Sequence, residues 1–173
     1  MYLEKNIVDE FYFKEKKYLS KPKYTTLLLH KIIKRINYKK SKIKFIDIGC
    51  ANGAAIYYLK DRFNFQFIGT DVDKRFQNNF PKKSNIEFFC DDIKSKNKKK
   101  IYGDLLYCSG VLSLFNDPKK LINGLIERTN QKGKIIITSM LNPYHLDLII
   151  RFRNNLAKEN KINGEGWNLH SIN

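Results

Sequence analysis

The chain has 173 residues and 42% hydrophobic content, enough apolar material for the core of one domain, which excludes disorder as the main state. No apolar run approaches the roughly 20 residues of a bilayer-spanning helix, so no membrane span is expected. The net charge of +16 comes from 33 Lys and Arg against 17 Asp and Glu, but only six of the basic residues are Arg, the better residue for bidentate phosphate recognition. The charge therefore favours a Lys-coated surface, or a positive field that draws in a small anionic substrate, over a nucleic-acid groove.

Residues 1–40 read as an N-terminal helical arm. Six aromatics (Tyr2, Phe11, Tyr12, Phe13, Tyr18, Tyr24) stand among its first 24 residues. A loosely amphipathic helix is predicted over 7–19, broken by Ser20-Lys21-Pro22. A second is predicted over 25–36, with Leu28, Leu29, Ile32, Ile33 and Ile36 on one face. Ordinary packing of the aromatics competes with a lid over a ligand.

Residues 41–173 form the second region, where short β-rich runs alternate with helical stretches. Strands are predicted over 44–48, 65–70, 86–89, 105–108 and 134–139, with helices over 54–63, 74–79 and 118–129. The alternation predicts an α/β fold with a doubly wound, mostly parallel sheet. The nearly continuous apolar strands fit a sheet covered on both faces. Asp117-Pro118 supplies an N-cap and first-turn pair, and Gly133 marks the turn out of that helix. Asn142-Pro143 repeats the cap signal before an apolar-periodic helix predicted over 144–156. The Lys-rich residues 94–100 read as a solvated loop.

The most informative stretch is Asp47-Ile48-Gly49-Cys50-Ala51-Asn52-Gly53, where an apolar strand runs into a turn of small residues and then a helix. In a doubly wound sheet such a turn lies at the carboxyl ends of the strands, where ligands bind. The second strand ends in Asp71-Val72. A carboxylate there can accept both hydroxyl protons of a ribose. The third ends in Asp91-Asp92-Ile93, where a carboxylate can accept from the exocyclic amine of adenine while Ile93 lies against the ring. Acids at three successive strand ends are hard to explain as surface chance.

This ordered set resembles the class I S-adenosylmethionine-dependent methyltransferases over roughly residues 42–140. Asp47 to Gly53 looks like their acid-x-Gly-x-Gly-x-Gly loop, Asp71 like the ribose acid and Asp92 like the adenine acid. Asp104 to Leu112, including Cys108 and Ser109, looks like the fourth strand and its loop, and Gly133 to Thr138 like the fifth. The resemblance implies a Rossmann-like methyltransferase fold. It implies S-adenosyl-L-methionine as cofactor and S-adenosyl-L-homocysteine as product. The cofactor residues would be Asp47, Gly49, Cys50, Ala51, Asn52, Gly53, Asp71, Val72, Asp91, Asp92, Ile93, Cys108 and Ser109.

Departures from the family pattern carry expectations of their own. Ala51 replaces a common Gly and is tolerated if its φ is negative. Ser113-Leu114 stands where many relatives carry Glu-His, which removes a general base. His145, beyond strand five, is the best-placed remaining base, against a plain helix-surface histidine. His30 reads as structural. The last two family strands look to be missing, so strand five would have an open edge that a homodimer could cover.

Cys50 and Cys108 read as small apolar residues, because the Pro-Cys or Thr-Cys pair of cytosine-C5 methyl transfer is absent. No cysteine pair or metal-ligand spacing occurs, which suits a reduced, cytoplasmic compartment, and the N-terminus is unlike a secretory signal. The expected function is methyl transfer to an O or N of a small polar metabolite, phosphorylated or sugar-linked in one version. The alternatives are an RNA- or DNA-directed methyltransferase, a cofactor-binding domain without activity, and a dinucleotide-binding oxidoreductase through Gly49-x-Ala51-x-x-Ala54.

Overall fold

The computed structural model describes residues 20–36, 38, 42–80, 83–96, 101–150 and 168–172. The arm helix expected over 7–19, its aromatics other than Tyr24, and the Lys run at 97–100 lie outside them.

Helix α1 (Tyr24–Arg35) precedes strand β1 (Ile43–Ile48) and a short helix α2 (Ala54–Leu59). Strand β2 (Phe65–Asp71), a 3₁₀ turn (Lys74–Asn79) and strand β3 (Ile86–Cys90) follow. Next come strand β4 (Gly103–Ser109), a 3₁₀ turn (Leu112–Leu114), helix α3 (Pro118–Glu127) and strand β5 (Thr129–Thr138). Two short strands, β6 (Leu141–Asn142) and β7 (His170–Ser171), pair apart from the main sheet.

The main sheet is parallel throughout, in the order β3-β2-β1-β4-β5. The order reverses between β1 and β4, so their carboxyl ends diverge and leave a crevice there. This is the parallel, helix-covered sheet expected from the alternating pattern and the Rossmann-like architecture implied by the family resemblance. The two-residue period of the strands splits the core into two layers. Phe45, Phe67, Leu105 and Tyr107 face Leu29 and Ile33 of α1 and Ile56 and Leu59 of α2. Ile46, Ile48, Ile68, Leu106 and Cys108 face Leu121 and Leu125 of α3. Both faces are covered, which is why the strands read as near-continuous apolar runs. His30 bonds the Tyr58 hydroxyl through Nδ1 at 3.1 Å and meets Phe63 edge-on, tying α1 to the end of α2.

Three expectations are corrected. First, no helix forms over 144–150. Asn142 Oδ1 does accept from the Tyr144 N–H, but the chain then turns. Leu148 exchanges backbone hydrogen bonds with Leu169, and the Ile150 N–H donates to Asn168 Oδ1. Pairing with the 168–172 segment takes the amides that a helix would have used. Second, β5 begins at Thr129, and Gly133 lies within it. The left-handed residue is Lys132, with φ 65°, beside a register shift against Gly103 and Leu105. Third, Ala51 has φ 48°, not a negative value.

Among the described residues β5 pairs with β4 and with no further strand. No described helix is long and apolar enough to cross a membrane.

Candidate cofactor cleft

The crevice at the carboxyl ends of β1, β2, β3 and β4 holds a cavity of about 350 Å³. Such a volume falls in the roughly 300–1,000 Å³ range of small-molecule sites. The β1 loop makes its floor. The Gly49 and Cys50 N–H groups both donate to the Thr70 carbonyl, at 2.8 and 3.0 Å, which folds the loop back over β2. Gly49 has φ 68°, and a Cβ there would collide with Val111 on the β4 loop. Glycine is required for both reasons.

Asp71, at the end of β2, links the two loops. Its carboxylate accepts from the Ala51 N–H at 2.9 Å and the Asp73 N–H at 3.1 Å. Burial still pushes its carboxyl above the usual range, and those N–H groups oppose the shift. Asp47 is 4% exposed and borders the cavity. Burial, reinforced by the charge of Asp71, pushes its pKa up to about 8, with Lys23 opposing.

The structure gathers most of the residues singled out from the sequence around this cavity. Asp47 and Gly49 to Asn52 border it, as do Asp71, Val72, Asp91, Asp92, Ile93 and Ser109. Gly53 does not; with φ 74° it caps α2 behind the loop. Cys108 does not either, because its side chain points into the α3 layer. Burial pushes the Cys50 and Cys108 thiols up, which keeps them neutral. His145 is exposed and outside the cleft, since the helix that was to carry it does not form. No histidine borders the cavity among the described residues.

Other side chains were not legible beforehand. Lys23 at the start of α1 and Tyr107 in β4 both reach the cavity. The Tyr107 hydroxyl lies 3.4 Å from Thr138 Oγ1, which donates to Ser109 Oγ at 2.8 Å. Arg128, at the end of α3, is fully buried and pairs with Asp91 at 3.0 Å. The Asp91 carboxylate is thus committed to Arg128, leaving Asp92 as the less committed acid of the pair. The sequence signal for Arg128 is its type: a rare Arg in a chain whose default cation is Lys. Asn168 and His170, also buried, both bond the Phe115 carbonyl, at 3.0 and 2.8 Å, and anchor the cleft loop after β4.

Residues 21–169 match the family described as Methyltransferase domain. The chain belongs to this methyltransferase family. Solved structures agree on the fold. The plantazolicin methyltransferase BpumL, in complex with SAH, aligns at a TM-score of 0.58 and 20% identity, over 77% of this chain and 57% of that one. A protein described as a methyltransferase, in complex with the Haloferax volcanii Trm112 methyltransferase activator, aligns at 0.63 and 13%, over 78% and 61%. The glycopeptide N-methyltransferase MtfA aligns at 0.57 and 9%, over 73% and 66%. The chain therefore spans about three-fifths of the length of these methyltransferases. No curated protein matches it. Membership of the methyltransferase family sets aside the dinucleotide-binding oxidoreductase, since the acids after β3 have no part in that fingerprint.

Proposed function

We propose that the cleft binds S-adenosyl-L-methionine and that the chain carries out methyl transfer to an oxygen or nitrogen of a small acceptor. The observation that carries this reading is the convergence of Gly49, Asp71 and Asp92 on one cavity in a methyltransferase-family domain. The residues fit the group. Asp71 is fixed by two backbone N–H groups at the cavity wall, as a carboxylate must be to receive a ribose diol. Asp92 and Ile93 would take the adenine amine and ring face, with Val72 over the mouth. Asp47 and the Gly49–Asn52 backbone would take the amino-acid end.

The bound sulfonium supplies an already activated methyl group, so the protein's task is to orient the acceptor and exclude water. Val111, Leu114, Phe115 and Met140 form an apolar wall beyond β4 and β5. That wall favours an acceptor with an apolar or aromatic body. Ser109, in the chain of hydroxyls with Thr138 and Tyr107, can hold its reacting O–H or N–H. Lys94 at the rim, 5.8 Å from the Phe115 ring centre, suits an anionic group on the acceptor. With no histidine at the cavity among the described residues, an acceptor atom that is already unprotonated and nucleophilic at ordinary pH fits best.

Thermal unfolding with and without ligand tests the cofactor assignment. S-adenosylhomocysteine at about 100 times its Kd should add about 2.7 kcal/mol, or roughly 5–11 °C in Tm. NADH and ATP at equal concentration should leave Tm unchanged. A shift with NADH and none with S-adenosylhomocysteine would contradict the proposal.

A further inference from the structure

Arg128 is fully buried and makes several hydrogen bonds beside the cleft, yet it does not border the cavity. Its guanidinium donates to Asp91 Oδ2 from Nε at 3.2 Å and Nη2 at 3.0 Å. It also donates to the carbonyls of Ser95 at 3.1 Å, Gly124 at 3.2 Å, and Ile93 and Asp92 at 3.4 Å each. One side chain at the end of α3 thus grips the loop after β3 at four residues: Asp91, Asp92, Ile93 and Ser95. Gly124 brings α3 against the same loop. A Cβ there would collide with the Ile93 carbonyl, so the glycine sets the close approach. The loop has local bonds too, from the Lys94 N–H to Asp92 Oδ1 and the Ser95 N–H to the Asp92 carbonyl, both at 2.9 Å.

We infer that Arg128 is a positioning residue for nucleobase selection: by clamping the 91–95 loop onto α3 it fixes Asp92 and Ile93 where they read the base of the cofactor. This rests on the proposed cofactor reading. The physical argument is one of preorganisation. A carboxylate on a loop discriminates an amine from a carbonyl only if it cannot swing away from the wrong partner. The planar fork of Arg holds several acceptors at once, and the three-donor ammonium of Lys cannot reproduce that set. Burial of the guanidinium keeps water from competing for those bonds.

The test compares S-adenosylhomocysteine with S-inosylhomocysteine, in which a carbonyl replaces the exocyclic amine. The wild type should prefer the adenosine ligand by about tenfold or more, the worth of one hydrogen bond to a charged group. In Arg128→Lys that preference should fall below about threefold, while the folded fraction and the affinity for free homocysteine stay close to wild type. An unchanged preference in a folded Arg128→Lys protein overturns the inference, and so does a wild type that binds both ligands equally.

Native-state hydrogen exchange of the wild type without ligand gives a second reading, useful if the variant does not fold. The Lys94 and Ser95 amides should be protected, opening together with the last turn of α3. Because both amides bond within the loop, the shared opening is the reading that counts: exchange of both at unprotected rates, or loop opening independent of α3, overturns the clamp. Failure of the folded wild type to bind either ligand would instead refute the cofactor reading; the exchange result reports on the clamp independently.

Discussion

At the residue scale, three of the four carboxyls at the cavity sit in different electrostatic settings. Asp91 is paired with Arg128, Asp71 is bonded to backbone N–H groups, and Asp47 is buried beside the charge of Asp71, with Lys23 only partly offsetting it. Asp47 therefore makes the clearest pH prediction. Its carboxyl ionises near 4 in the unfolded chain and near 8 in the folded one, so between those values the folded state holds the extra proton. Its stabilising contribution is complete below pH 4 and is lost as pH rises to about 8; the upward shift of Asp71 acts in the same direction. Denaturant titrations from pH 5 to 8.5 should show wild-type stability falling more steeply than that of Asp47→Asn. Parallel profiles would contradict the assignment. Ala51 offers a second test. A left-handed alanine costs about 1–2 kcal/mol, while glycine costs about 0.5–1 kcal/mol in backbone entropy. Ala51→Gly should therefore be neutral or stabilising by up to about 1.5 kcal/mol, read as a Tm increase of a few degrees; a clear loss of stability would mean that the alanine methyl is needed.

At the scale of elements, β1, β2 and β4 were legible because both faces of these central strands are buried, so each announces itself as an apolar run; the polar first half of the edge strand β5 does not. The Asp117-Pro118 signal was equally plain: Asp117 Oδ1 accepts from the Lys119 N–H at 3.0 Å, and α3 begins there. The acids at the strand ends were readable because topology alone carries strand ends to one rim. What sequence could not show was pairing between distant segments. Residues 144–150 have helical periodicity, but Leu169 and Asn168 claim their backbone groups. Arg128 was hidden for the same reason, since its partners on the loop after β3 lie more than thirty positions away. Asn168 carries the matching prediction. Its side chain bonds the Phe115 carbonyl, Asn116 Oδ1 and the Ile150 N–H, so Asn168→Ala should cost about 2–3 kcal/mol. It should also raise backbone exchange in 113–116; a loss below about 0.5 kcal/mol, the size of an ordinary surface substitution, would contradict the anchoring role.

At the scale of the whole molecule, the +16 charge and the cleft make separate claims. A Lys-rich coat binds polyanions through counterion release without reading their sequence. Affinity for RNA should fall steeply with salt and match that for heparin of similar charge density. A salt-resistant preference for RNA would move the acceptor from a small molecule to a nucleic acid. The cleft claim is independent of that field, because Gly49, Asp71 and Asp92 act through geometry at short range. Its most direct test is calorimetry of S-adenosylhomocysteine with the folded wild type and with Asp71→Asn. The account predicts saturable one-to-one binding by the wild type, weakened by about tenfold or more in the variant, as expected for one charge-assisted hydrogen bond. Equal affinity in the two proteins, or no binding by the folded wild type, would contradict it.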